Sequence, residues 1–170
     1  MIKALTFDLD DTLWAVAPVI QRADQHLLAW LKEHAPTFAQ RYGIGGFGEL
    51  RDEILTLKPH LAHHMTRLRL ALLTLGLKRC GYSEQQAQDI AEAGFEEYFA
   101  ARNQVEFYPH ALEQLQRLKA DYIMAALSNG NADIHRVGLG QLFEFGLNAE
   151  QVSNPKPAAD MFTSALKRMQ

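Results

Sequence analysis

Residues 5–14 read Leu5-Thr6-Phe7-Asp8-Leu9-Asp10-Asp11-Thr12-Leu13-Trp14, an apolar stretch that ends in three carboxylates and a threonine. Residues 2–7 are mostly apolar and rich in β-forming residues, which predicts a buried parallel strand. Open α/β sheets bind ligands at the carboxyl ends of such strands. Asp8 and Asp10 follow the strand and repel each other unless a cation or a function compensates. The stretch therefore predicts an α/β fold with a polar site at this strand end, and a plain turn capping a helix is the alternative.

Two later segments carry polar residues that could complete the same site. Residues 122–127 predict a second apolar strand, which ends in Ser128-Asn129-Gly130-Asn131. A hydroxyl and backbone amides at a strand end can hold a phosphate, and glycine permits close approach. Lys156 lies in Asn-Pro-Lys-Pro, just before a predicted helix over 158–169. Each segment alone is also typical of a surface turn.

Together these segments resemble the motifs of the haloacid dehalogenase superfamily. The first motif, Asp-x-Asp-x-Thr, matches residues 8–12, the second matches Ser128 and the third matches Lys156. Within the superfamily, the sequence is most similar to bacterial flavin-mononucleotide hydrolases, a group that also dephosphorylates 5-amino-6-(5-phospho-D-ribitylamino)uracil. The resemblance covers nearly the whole chain. It implies a Rossmann-like parallel-sheet core with an inserted helical cap.

The resemblance also implies a reaction, namely hydrolysis of a small phosphorylated metabolite, such as flavin mononucleotide or a related sugar or ribityl phosphate. Asp8 would be the nucleophile that forms an aspartyl-phosphate, and Asp10 would be the general acid and base. Ser128, Asn129 and Lys156 would hold the phosphoryl group. Mg²⁺ would bind Asp8 and the backbone carbonyl of Asp10, with waters completing its octahedron.

The family's fourth motif, an acidic pair that supplies the remaining magnesium carboxylate, has no counterpart before Gln170. Asp133 and Asp160 are the nearest spare carboxylates, and neither is predicted at a strand end. We therefore expect a C-terminally truncated core in which the strand over 2–7 is an exposed edge that favours self-association. Two alternatives stay open: a catalytically impaired or non-catalytic binding fragment, and a haloacid dehalogenase, which would have no need of Asp10 as an acid.

Residues 15–104 separate the first strand from the rest of the core, far more chain than one crossover helix requires. Helical spacing of apolar residues predicts four helices there, over 18–33, 47–57, 60–77 and 83–102. Such amphipathic helices can form a small bundle, so we predict a cap over 15–104 and a discontinuous core of 1–14 and 105–170. Arg69 in the cap is a candidate substrate contact, while Arg67, two positions earlier, points to another face.

The remaining core segments predict a doubly wound α/β arrangement. After the cap we expect a helix over 111–119, the strand over 122–127, a short helix from Leu139, a third strand over 147–150 and the last helix.

Composition excludes several other classes of protein. The net charge of −3 and the lack of a basic stripe argue against nucleic-acid binding. No apolar run is long enough to span a membrane, and Cys80 is the single cysteine, so no disulfide framework exists. Because the predicted first strand leaves no room for a signal peptide, we expect a cytoplasmic protein.

Overall fold

The structure is a computed structural model of the chain and describes residues 2–169. The chain divides into two compact units, Met1–Val19 with Asn103–Gln170 and Ile20–Arg102. The strands are β1 (Ala4–Phe7), β2 (Ile123–Ser128) and β3 (Phe145–Asn148). The helices are α1 (Val16–His34), α2 (Pro36–Tyr42), α3 (Gly46–Leu57), α4 (Met65–Arg79), α5 (Glu84–Arg102), α6 (Ala111–Lys119) and α7 (Ala159–Arg168), and short 3-10 helices span Pro59–His63 and Ala149–Gln151.

The first unit is built on a parallel three-stranded sheet in the order β1-β2-β3. Ala4 of β1 is paired with Ile123 of β2, and Ala125 of β2 with Phe145 of β3. The α/β class predicted from the sequence is confirmed. Since parallel strands end at one edge of the sheet, β1 and β2 deliver the residues that follow them to the same place.

Alternate residues of β2 pack on opposite faces of this sheet, as the twofold period of a strand requires. Met124 and Ala126 belong to an apolar cluster that also contains Leu115 of α6. Leu127 belongs to a separate cluster with Met161 of α7. Helices thus cover the central strand on both faces. Burial of one such large aliphatic side chain stabilises the fold by about 1.5–3 kcal/mol.

The second unit is helical and has its own apolar core, formed by side chains of α1 to α5. Its largest fully buried members include Leu27, Leu31, Phe38, Leu73 and Leu77. Among residues 2–169, none of the helices combines the length and the apolar character needed to cross a bilayer.

The helical unit differs from the predicted one at two places. Helix α2 was not among the predicted helices, although Pro36 stands at its first position, where a fixed φ and a missing N–H are both tolerated. The helix predicted over 60–77 is in fact a 3-10 turn, Pro59–His63, followed by α4 from Met65.

The segment after β2 also differs from its prediction. The predicted short helix from Leu139 is wrong, because residues 134–142 form consecutive turns. Gly138 has a φ of 85°, which separates the turn before it from the one that follows Leu139. The first of these turns is capped by Asp133, whose Oδ1 accepts the N–H groups of His135 and Arg136 at 2.7 and 3.0 Å. Strand β3 then begins at Phe145 instead of residue 147.

Candidate active site

A tight turn follows β1 and carries the carboxylates of Asp8, Asp10 and Asp11. The carbonyl of Leu9 accepts the N–H groups of Thr12 and Leu13 at 3.1 and 2.8 Å. Asp11 has a φ of 58°, and its Oδ1 accepts the N–H of Val16 at 2.9 Å. Asp11 therefore shapes the turn and holds the start of α1, so its carboxylate serves the backbone.

Asp10 is held by a tryptophan that the sequence reasoning did not single out. The indole Nε1 of Trp14 donates to Asp10 Oδ1 at 2.9 Å. Trp14 is completely buried, and its ring meets Phe107 edge-on, with centroids 5.6 Å apart. In the sequence, Trp14 stands four residues after Asp10, and this spacing is the only indication of the bond. The hydrogen bond itself becomes visible only in the folded turn.

Asp8 and Lys156 form an ion pair between distant parts of the chain. Lys156 Nζ lies 2.9 Å from Asp8 Oδ2 and also donates to the carbonyl of Leu127 at 2.6 Å. The other carboxylate oxygen of Asp8, Oδ1, accepts the N–H of Leu9 at 2.8 Å. The lysine side chain is 17% exposed and that of Asp8 is 43% exposed. A cation thus stands beside the carboxylate of the candidate nucleophile.

Asn129 holds the backbone of this lysine. Its Nδ2 donates to the carbonyl of Lys156 at 2.8 Å, and its Oδ1 accepts the N–H of Lys156 at 3.0 Å. The amide that we predicted as a phosphate contact is therefore engaged at both ends by the lysine segment in this structure.

Ser128 ends β2 at the same edge of the sheet. Its side chain is buried, and its Oγ accepts the N–H of Gly130 at 3.0 Å. A hydroxyl that accepts one bond still has its own proton to donate. Further along the loop, the N–H of Asp133 donates to Asn103 Oδ1 at 2.8 Å. The loop after β2 is thus held at both of its ends.

The oxygen donors after β1 suit a hard cation. Mg²⁺ in phosphoryl-transfer sites is bound by one or two carboxylates, the substrate phosphate and waters, and Asp8 with the carbonyl of Asp10 supplies donors of this type. Within residues 2–169, no three His, Cys, Asp or Glu side chains form a group that could hold a metal. Of the spare acids, Asp133 caps the turn described above and Asp160 Oδ1 accepts Asn154 Nδ2 at 3.0 Å.

Arg69 lies within the helical unit and is engaged by two neighbours there. Its Nη1 lies 2.6 Å from Asp24 Oδ1, and its guanidinium carbon lies 3.9 Å from the centroid of the Tyr98 ring. Burial raises the pKa of the Tyr98 phenol, and the positive charge of Arg69 opposes that rise. Arg67 is exposed, as its different face predicts. The contact between Arg69 and substrate stays a prediction.

Known protein families and structures contain close matches to this sequence. The model of the haloacid dehalogenase-like hydrolases matches residues 2–170. The chain belongs to this family of hydrolases. The resemblance inferred from Asp8, Ser128 and Lys156 is thereby confirmed.

The proteins that this chain is similar to carry two kinds of description. The chain is 30% identical over 168 residues to the 5-amino-6-(5-phospho-D-ribitylamino)uracil phosphatase YigB of Escherichia coli (strain K12), and the match covers 99% of the chain and 70% of the relative. It is 27% identical over 180 residues to the ribulose-1,5-bisphosphate 5-phosphatase of Halopiger xanaduensis (strain DSM 18323 / JCM 14033 / SH-6), covering 99% and 72%. Among solved structures, a 2-haloacid dehalogenase from Pseudomonas syringae pv. Tomato DC3000 matches with a TM-score of 0.93 and 37% identity, covering 99% of this chain and 73% of that one.

Proposed function

We propose that this hydrolase is a magnesium-dependent phosphomonoester phosphatase that acts through an aspartyl-phosphate at Asp8. The observation that carries the proposal is the pairing of Asp8 Oδ2 with Lys156 Nζ at 2.9 Å, with a second carboxylate, Asp10, two residues further along the same turn. Phosphoryl transfer depends mainly on positioning and on charge stabilisation. A carboxylate nucleophile, a fixed cation and a second carboxylate supply both.

The residues of the chain account for a balanced reaction. A carboxylate oxygen of Asp8 forms a bond to phosphorus while the bond to the leaving oxygen breaks, and Asp10 gives its proton to that oxygen. Asp10 then takes a proton from a water molecule that attacks phosphorus, which releases phosphate and restores Asp8. Lys156 and the hydroxyl of Ser128 orient the phosphoryl oxygens throughout. Bound magnesium would supply additional charge neutralisation at those oxygens.

The names of the two phosphatase relatives support a substrate class. One acts on a 5-phospho-D-ribityl group and the other on the 5-phosphate of ribulose-1,5-bisphosphate. Both phosphates are esters of a primary alcohol at the end of a hydroxylated five-carbon chain. We therefore propose a ribityl or pentose phosphate as substrate, with flavin mononucleotide as a member of the same class.

A haloacid dehalogenase is the second candidate, favoured by the structural match to a protein of that description. A halide leaves as an anion and needs no proton, so such an enzyme has no use for an acid beside its nucleophile. Asp10 is oriented in the site by a buried donor, which favours a reaction whose leaving oxygen must be protonated.

The proposal is tested by turnover of flavin mononucleotide, p-nitrophenyl phosphate and 2-chloropropionate by the purified protein. We expect hydrolysis of the two phosphates, loss of activity on chelation, and a fall of about 100-fold or more in Asp8→Asn and in Asp10→Asn. Asp121→Asn, which removes an exposed carboxylate, should retain activity. Release of chloride without hydrolysis of either phosphate, or full activity of Asp8→Asn, would contradict the proposal.

A further inference from the structure

A buried tryptophan contacts the carboxylate that transfers the proton. We infer that Trp14 is a positioning residue that fixes the orientation of the Asp10 carboxylate toward the reacting oxygen. The inference rests on the proposed phosphatase function, in which Asp10 is the acid and base. Its basis is the 2.9 Å bond from Trp14 Nε1 to Asp10 Oδ1 and the complete burial of the donor.

The indole donor is held in place from several directions. Its ring packs edge-on against Phe107 at an interplanar angle of 77°, and its backbone forms bridges with Asp10 on one side and Phe107 on the other. The carbonyl of Trp14 also accepts the N–H of Asp11 at 2.8 Å. Because these contacts fix the position of the indole N–H, the hydrogen bond can form only when the Asp10 carboxylate adopts one orientation.

The bond also distinguishes the two oxygens of Asp10. An indole nitrogen is a donor only, so Oδ1 must accept this bond. The bond therefore keeps the carboxylate at one orientation relative to Trp14. An acid and base whose orientation is fixed in advance has less freedom to lose when the reacting groups meet.

A purely structural role for Trp14 predicts a different result from a positioning role. Misplacing the acid slows the departure of poor leaving groups, which need a proton, more than that of p-nitrophenolate, which needs little help. Loss of core packing alone lowers kcat/KM for both kinds of ester in the same proportion. The ratio of the two kcat/KM values therefore separates the positioning role from the packing role.

The test compares flavin mononucleotide, an alkyl phosphate, with p-nitrophenyl phosphate in the wild type, Trp14→Phe and Phe107→Leu. Trp14→Phe removes the N–H and keeps a ring, whereas Phe107→Leu disturbs the packing and keeps the N–H. We expect the ratio of kcat/KM for flavin mononucleotide to that for p-nitrophenyl phosphate to fall about tenfold in Trp14→Phe, a fraction of the full effect of a general acid. In Phe107→Leu the ratio should stay at its wild-type value.

An equal fall for both esters in Trp14→Phe, or the same change of ratio in Phe107→Leu, overturns the inference and leaves the proposed function intact. A wild type that hydrolyses neither ester refutes the proposed function instead.

A second measurement does not depend on the folding of Trp14→Phe. The chain has two tryptophans, so its ¹H–¹⁵N spectrum contains two indole signals, and Trp30→Phe assigns them. Asp10→Ala should shift the Trp14 signal and leave that of Trp30 in place. An unmoved Trp14 signal would show that the bond does not exist in solution, and the inference would fall with it.

Discussion

At the scale of single residues, the candidate site depends on how Lys156 is held. Its ammonium contacts Asp8 and the carbonyl of Leu127, while its backbone is bound on both sides by the amide of Asn129. A lysine is flexible, and ordering its side chain costs up to about 2 kcal/mol of rotamer entropy. Because Asn129 already holds the backbone of Lys156, substrate binding has less conformational entropy of this residue to remove.

We expect Asn129→Ala to lower kcat/KM for p-nitrophenyl phosphate about tenfold, because it removes two hydrogen bonds that are each worth about 1 kcal/mol. Asn154→Ala is the matched control, because it removes an exposed amide from the segment that contains Lys156. The amide of Asn154 donates to the side chain of Asp160 and not to the backbone of Lys156. Steady-state kinetics on both variants measures the difference. Equal activities of the two variants would show that the clamp on Lys156 has no catalytic consequence.

Arg69 leads to a prediction about stability. Its guanidinium pairs with Asp24 and lies on the ring of Tyr98, with its side chain only 15% exposed. Arg69→Ala leaves a half-buried carboxylate without this partner, so we expect the free energy of unfolding to fall by about 1–3 kcal/mol. Arg67→Ala, on an exposed residue, should change it by less than about 0.5 kcal/mol.

Denaturant titration measures both values. If Arg69 also contacts substrate, as the sequence predicts, Arg69→Ala will raise KM for flavin mononucleotide more than KM for p-nitrophenyl phosphate. An unchanged free energy of unfolding would contradict the structural role.

The pattern of residues predicted which groups belong to the site but not all of their contacts. The sequence could predict that Asp8 and Lys156 lie in one site, because Asp8 follows a recognisable strand and Lys156 precedes a recognisable helix. In a parallel sheet such residues meet at the edge formed by the carboxyl ends of the strands. The bond from Trp14 to Asp10 could not, because it depends on the positive φ of Asp11, a conformation that few residues other than glycine adopt. The two bonds from Asn129 likewise depend on a loop path that no periodic pattern encodes.

At the scale of elements, a glycine in the C-terminal part of α4 permits close packing in the helical unit. A Cβ placed on Gly76 would collide with the ring of Phe38 in α2 and would lie 2.9 Å from a methyl carbon of Leu50 in α3. Gly76 is itself buried. Glycine costs a helix about 0.5–1 kcal/mol relative to alanine, and here it permits two neighbouring helices to pack closely on α4.

We therefore expect Gly76→Ala to lower the free energy of unfolding by about 1–3 kcal/mol through overpacking. Gly48→Ala is the control with the opposite sign: Gly48 lies in α3 with nothing within 4 Å of an added Cβ, so alanine should stabilise that helix by about 0.5–1 kcal/mol. Thermal and denaturant unfolding measure both. A stabilising Gly76→Ala would mean that α2 and α4 pack less closely than described.

Elements with a strong period were predicted well, and short ones were not. Helix α6 has its predicted bounds because Leu112, Leu115 and Leu118 form one stripe over its whole length. Helix α2 has only seven residues, which is less than two full turns. A segment this short shows too little periodicity to be distinguished from a turn by its sequence. Its position follows from the packing of Phe38 in the helical core, which is tertiary information.

At the scale of the whole molecule, β1 is an outer strand of the sheet that residues 2–169 form. Its residues Ala4, Leu5 and Phe7 are half-buried, and Thr6 is exposed. An edge strand presents N–H and C=O groups that can pair with another chain. Self-association through β1 remains our proposal.

Thr6→Lys should weaken such association, because a charge on an edge strand disfavours the addition of another strand. Sedimentation velocity over a range of protein concentrations measures it, with Thr163→Lys, an exposed position on α7, as the control of equal charge. We expect dimers or larger species for the wild type and for Thr163→Lys, and a shift towards monomer for Thr6→Lys. A wild type that stays monomeric throughout would contradict the proposal.

The central claim is that Asp8 forms a covalent bond to phosphorus, and trapping that bond tests it most directly. The protein is mixed with excess substrate and quenched during turnover, and borohydride then reduces any acyl phosphate to the alcohol. Peptide mass spectrometry should show homoserine at position 8 in the wild type, and none at any carboxylate in Asp8→Asn. Phosphate release by the wild type with an unmodified Asp8, or with the modification at another carboxylate, would contradict the account.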